Sequence, residues 1–172
     1  MVRVLPALAA LAAAAALAPV AAFAAPIGAS PPATGNALLI YPVTITKTAD
    51  LDFGLVTVTT AGTAIIDPNA NTIASSGGVV LVGTQWHAAE FVGAARSSSV
   101  VNIKLPNQPI TLTRQGGTET MTVSPLTLQG QSKRSIAAAT SFSFRVGGTL
   151  NVGANQAEGT YTGTFDVEIQ YP

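Results

Sequence analysis

The sequence predicts an all-β protein, an antiparallel sandwich of two sheets. Three observations carry that prediction. Beyond residue 35 the chain is rich in Thr, Val and Gly and poor in Lys, Glu and Leu, which favours strands because branched side chains fit a pleated surface. Apolar and polar residues alternate over short runs. Val101, Ile103 and Leu105 oppose Asn102 and Lys104, while Phe142, Phe144 and Val146 oppose Ser143 and Arg145, the period of a strand with one buried face. Turn signals recur at short intervals, as Asp67-Pro68-Asn69, Ser76-Gly77-Gly78, Pro106-Asn107, Gly116-Gly117 and Gly147-Gly148, the punctuation of a sandwich or barrel.

The elements follow in order. Residues 1–24 carry Arg3, a long Ala/Leu run and then Ala22-Phe23-Ala24, the layout of a secretory signal peptide cleaved after Ala24. Residues 25–35, "APIGASPPATG", read as a flexible lead-in. Residues 36–172 then form a single β-sandwich domain, long enough to bury a core. Predicted strands are 37–46, 51–58, 63–66, 79–82, 89–92, 100–105, 110–113, 120–128 (bent at Pro125), 141–146, 149–152 and 162–171. Only 132–140 reads as a place for a helical turn.

Composition narrows the function. The 172 residues hold eight basic and eight acidic side chains, and losing Arg3 with the leader leaves seven basic against eight. Charged residues are 9% of the chain, against about 25% in a typical domain. No basic stripe is present to neutralise phosphates, so nucleic acid is not an expected partner. So sparse a charge gives little protection against self-association. There is no cysteine, which removes disulfides, thiol catalysis and thiolate metal sites.

No motif for catalysis emerges. His87, the one histidine, follows Trp86 in "GTQWHAAEF", without the pattern of a nucleophile elbow or the partners a zinc site needs. The Asp52-Phe53-Gly54 triplet has no other kinase element around it. Asp67, Asn69 and Asn71 sit at the first three ligand positions of a calcium loop, but Thr72 and Gly78 occupy the positions that should be Gly and Glu. The acidic residues Asp50, Asp52, Glu90, Glu119, Glu158 and Asp166 are scattered. The reading is a non-enzyme with no metal and no small-molecule cofactor.

The last residues, "GTYTGTFDVEIQYP", contain an apolar row of Phe165, Val167, Ile169 and Tyr171. Gly159 is fourteenth from the end and Tyr171 is penultimate. Together these features resemble the C-terminal motif of chaperone–usher pilus subunits. Two longer segments, "ITKTADLDFG" (residues 45–54) and "VGGTLNVGANQAEGTYTGTF" (residues 146–165), resemble the hallmark segments of a bacterial family, domain of unknown function 4402. Its members are exported β-sandwiches resembling fimbrial and spore-coat-U-type subunits.

The resemblance implies an immunoglobulin-like sandwich completed by a donor strand from a neighbouring subunit. It also implies a periplasmic chaperone and an outer-membrane usher, and passage through the periplasm to a surface fibre with a role in adhesion. Gly159, Phe165, Val167, Ile169 and Tyr171 would then form the wall of the receiving groove. The candidate donor is residues 36–46, with Leu39, Tyr41, Val43 and Ile45 on one face. Burying four such side chains contributes on the order of 6–12 kcal/mol before ordering costs. Pro42 interrupts that segment, since proline cannot donate to a ladder. One reading of it is a break, with 36–41 as the donor and 43–46 as the first strand of the domain's own sheet. The alternative keeps all of 36–46 as the domain's own first strand, beside 162–171. The protein would then be a self-sufficient exported monomer, secreted or at the surface, binding a surface partner or a carbohydrate.

Overall fold

The computed structural model describes residues 35–37, 39, 41–137 and 141–172. The expected leader and most of the lead-in therefore lie outside the described residues, as do Leu38 and Ile40 of the candidate donor. Residues 39–172 form one compact unit, and the description below concerns that unit.

Among the described residues eleven strands run in chain order: β1 (Thr44–Ala49), β2 (Leu55–Asp67), β3 (Thr72–Val82), β4 (Ala89–Ala94), β5 (Ser99–Lys104), β6 (Ile110–Arg114), β7 (Thr120–Leu128), β8 (Lys133–Ile136), β9 (Ser141–Val152), β10 (Tyr161–Thr162) and β11 (Glu168–Gln170). Every pairing is antiparallel. The larger sheet has the order β1-β4-β9-β7-β6-β10, with the β2–β3 hairpin joined to it through β9; the smaller has the order β11-β5-β8. No helix occurs among the described residues.

β9 is the centre of the molecule. Its first half pairs with β4, from Ser141 opposite Ala94 to Val146 opposite Ala89. Its second half lies between β2 and β7, Leu150 facing Ala64 on one side and Val123 on the other. Alternate side chains explain why this strand is so well held: Phe144, Val146, Leu150 and Val152 are all buried.

Two apolar clusters divide along β9. Ala89, Phe91, Phe144 and Val146 of the larger sheet pack with Ile103 of β5, joined by Val167 and Ile169; this layer holds the two sheets face to face. Ala64, Ile66, Ile110, Val123 and Leu150 form the other cluster, with Phe53 packed into it. Each large side chain fully buried here contributes about 1.5–3 kcal/mol relative to exposure.

The helical turn expected at 132–140 is corrected over residues 132–137; residues 138–140 lie outside the described residues. Lys133–Ile136 is a strand, with Ser99 to Asn102 of β5 opposite Ile136 to Lys133. Ile136 is buried against Val101, and tertiary pairing outweighs the weak local preference of Lys-Arg-Ser for a helix. Two expected turns also lie inside strands. Ser76-Gly77-Gly78 belongs to β3, where Thr59, Thr60 and Ala61 of β2 bulge against the single Gly78. A Cβ on Gly78 would fall 2.3 Å from the Thr60 nitrogen. Gly147-Gly148 belongs to β9, where a Cβ on Gly147 would fall 2.1 Å from the Ile66 carbonyl oxygen. These glycines admit a neighbouring backbone; they do not reverse the chain. The expected strand 51–58 holds only from Leu55, and from there it runs on through 63–66 as β2, while 141–146 joins 149–152 as β9.

Candidate functional site

The sandwich is open along one side. A groove of about 940 Å³ has the apolar side chains of Phe91, Ile110, Met121, Val123 and Leu150 among its lining. Two chain segments, residues 50–56 and residues 159–167, contribute further wall to it.

The first wall is held by short backbone geometry. Asp52 and His87 exchange both backbone hydrogen bonds at 2.9 Å, and the Asp52 carboxylate accepts the Gly54 N–H at 2.8 Å. That local turn is a common use of aspartate, and it tucks Phe53 inward. His87 itself is exposed. In the β2–β3 turn, Asp67 accepts the Asn69 N–H at 2.8 Å and Asn69 Oδ1 accepts the Gly130 N–H at 2.8 Å. The acidic turn that resembled a calcium loop thus spends these oxygens on its own backbone and on the loop before β8.

The second wall starts at Gly159, whose φ of +147° is a conformation that side chains rarely adopt. A Cβ there would lie 2.7 Å from Arg114 Nε. Arg114 Nε donates to the Glu158 carbonyl at 2.6 Å, and its Nη1 reaches Glu119 at 3.4 Å. The backbone N–H of Glu119 first, then Arg114 and the Thr118 N–H, holds the Glu119 carboxyl below the ordinary carboxylate range despite an opposing desolvation. Tyr161 adds a second anchor: its hydroxyl donates to the Ala157 carbonyl at 2.7 Å and accepts from Gln156 Nε2 at 2.7 Å. Nothing in the sequence marks Arg114 as a neighbour of Tyr161, because only the β6–β10 pairing sets the two opposite each other.

After Thr162 the chain leaves the larger sheet. Residues 163–167 have no strand partner and no backbone–backbone hydrogen bond among the described residues. At Glu168 the chain joins the smaller sheet, with Glu168 opposite Lys104, Ile169 opposite Ile103 and Gln170 opposite Asn102. The expected strand 162–171 is therefore two short strands flanking a bare crossing. Its side-chain alternation persists throughout: Phe165, Val167, Ile169 and Tyr171 are half-buried while Thr164, Asp166, Glu168 and Gln170 are exposed. Phe165 packs against both larger clusters. Ile169 and Tyr171 pack on a third, made by Ala95, Val101 and Ile136. The edge of β11 opposite β5 is unpaired.

The candidate donor residues separate into two pairs. Ile45 lies in β1 opposite Gly93, and Val43 packs with Ala95, Val101 and Ile136, so both belong to the domain's own packing. β1 pairs with β4, not with the last strand. Leu39 is 80% exposed and Tyr41 57% exposed, and neither lies in a strand. The Arg96 guanidinium sits 5.6 Å from the Tyr41 ring centre, and the Arg96 N–H donates to the Tyr171 hydroxyl at 3.2 Å.

Comparison with known proteins comes to one finding. A family model, the domain of unknown function DUF4402, matches residues 43–171. No curated protein and no solved structure matches the chain.

Proposed function

The chain belongs to the DUF4402 family, and from that premise we propose that it is a structural subunit of a surface fibre, assembled by donation of an extended segment from one copy into the groove of the next. The carrying observation is the coincidence of an apolar groove with an unpaired backbone. Residues 163–167 offer N–H and C=O groups with no strand partner beside a groove lined by Phe91, Ile110 and Val123. Backbone groups left without partners next to apolar surface are costly, and an inserted strand satisfies them while its alternate side chains fill the space. Leu39 and Tyr41 are the donor's apolar anchors, each contributing about 1.5–3 kcal/mol on burial. Export by the leader, guidance by a periplasmic chaperone and an outer-membrane usher, and a role in adhesion complete the reading.

A second reading has one observation in its favour. Val43 and Ile45 already serve the domain's own sheet, as a self-sufficient exported monomer that binds a surface partner or carbohydrate would have it. An unboiled sample of the purified protein on a denaturing gel, beside a boiled one, separates the two. Linked subunits give a ladder that collapses to one band on boiling, since inserted strands are kinetically stable. A single band in both lanes, from protein shown to be folded, supports the monomer.

A further inference from the structure

The chain has two methionines and no cysteine. Met1 belongs to the expected leader, so Met121 carries the one sulfur beyond it. Met121 stands in β7 opposite Leu112 of β6, and two residues on Val123 stands opposite Ile110. That spacing puts the four side chains on one face of the sheet, and all four line the groove. Ile110 and Val123 are buried, whereas Leu112 and Met121 are half-buried. The Leu112–Met121 pair is therefore where this stretch of apolar lining meets water. Ile110, Leu112 and Val123 are plain hydrocarbon; the thioether is the one group of the four that mild oxidants convert.

We propose that Met121 is a modification site: hydrogen peroxide oxidises its thioether to the sulfoxide while the groove is empty, and the sulfoxide then bars an apolar strand from entering. The step is an oxygen-atom transfer. The peroxide O–O bond breaks and an S–O bond forms at Sδ. The sulfur gives up two electrons, and the peroxide is reduced to water.

Oxidation turns a flexible apolar side chain into a polar one. In the empty groove the new oxygen is solvated, so the fold tolerates it. Beneath an inserted apolar side chain it has no water and no donor, which is costly. An inserted strand in turn covers the sulfur and protects it. The consequence for assembly rests on the strand-donation reading, whereas the reactivity of Met121 does not, and the two are measured separately. In the first measurement, hydrogen peroxide is added to the folded monomer and to the same protein in urea. Mass spectrometry follows oxygen uptake in the peptide carrying Met121. Susceptibility follows exposure, so the folded protein should react within about tenfold of the unfolded one. A slower reaction than that would overturn the inference, because the sulfur would be out of reach.

The second measurement compares assembly before and after oxidation. The sulfoxide protein should keep its circular dichroism spectrum yet form the heat-sensitive ladder at least about tenfold more slowly, as an unpaired polar group in an apolar contact requires. Treatment with methionine sulfoxide reductases should restore the parent rate. The Met121→Leu protein, whatever its own rate, should assemble equally with and without peroxide, which assigns the effect to this sulfur. Three results would each overturn the inference: an oxidised protein that has unfolded, a ladder that forms as fast from the sulfoxide as from the parent, or an equal loss in Met121→Leu. An untreated protein that forms no ladder overturns the strand-donation reading itself, and the barred assembly with it, whatever rate the first measurement gives.

Discussion

Arg134 shows how much one side chain holds in this protein. Its guanidinium donates at 3.1 Å to the carbonyls of Gln131 and Ser143 and also reaches the Gln129 carbonyl. It lies 5.3 Å from the Phe144 ring centre. Burial pushes its pKa down from the ordinary value, in the direction desolvation of a cation dictates. The fork of a guanidinium suits three divergent acceptors and a ring face, which an ammonium cannot match together. Arg134→Ala should therefore cost about 2–3 kcal/mol, with hydrogen bonds to a charged donor worth about 1.5–3 kcal/mol, and Arg134→Lys should recover less than half. Urea midpoints of the three proteins measure this; a lysine variant as stable as the parent would show that simple charge suffices. None of it is legible in "SKRSIA", where the arginine reads as an ordinary polar residue. Its acceptors come from β9 and from the loop before β8, and only the folded register brings them together.

At the scale of the element, side-chain period was readable and strand boundaries were not. Phe165, Val167, Ile169 and Tyr171 all turn inward as their alternation predicts, because period depends on the backbone alone. Where the strand is broken depends on which sheet each residue can reach, and that is set by β5 and β6, far away in sequence. Glycine misleads for a related reason. A Gly-Gly pair marks a turn or a close approach, and sequence does not say which. Gly147 decides for close approach: a Cβ would meet the Ile66 oxygen at 2.1 Å and Pro68 Cδ at 2.7 Å. Gly147→Ala should cost about 2–3 kcal/mol, in the range of overpacking a fixed core. Gly83 provides the contrast, with a φ of +76° and open space around its Cβ position, so Gly83→Ala should cost only about 1 kcal/mol. Thermal unfolding of both variants tests the ordering, and equal losses would put Gly147 back among ordinary turn glycines.

For the whole molecule, the decisive property is where the candidate donor and the groove lie. β1 runs from Thr44, opposite Ala94, toward Ala49, opposite Glu90, and Lys47 and Asp50 reach the groove lining. The final segment runs the other way, from the groove wall at Gly159 to Tyr171, whose hydroxyl meets the Arg96 N–H. Tyr41 lies beside Arg96, at the Tyr171 end, away from Gly159. Under the proposed strand donation, a donor at one end and a receiving wall that begins at the other would make a head-to-tail interface. Such an interface forms an open chain unless its rotation happens to close a ring. This polarity separates donation between copies from closure of a molecule on itself. Removing residues 25–41 leaves β1 and every described strand in place, so the shortened protein should fold and form no ladder. A synthetic peptide of residues 36–46 should then stabilise it, by about 2.7 kcal/mol at a hundredfold excess over its dissociation constant. The same peptide with Asp at the positions of Leu39 and Tyr41 should not, because a charge cannot enter an apolar groove unpaired. If the shortened protein still forms a heat-sensitive ladder, the donor lies elsewhere. If it forms none and the native peptide leaves the unfolding temperature unchanged, the groove does not receive this segment.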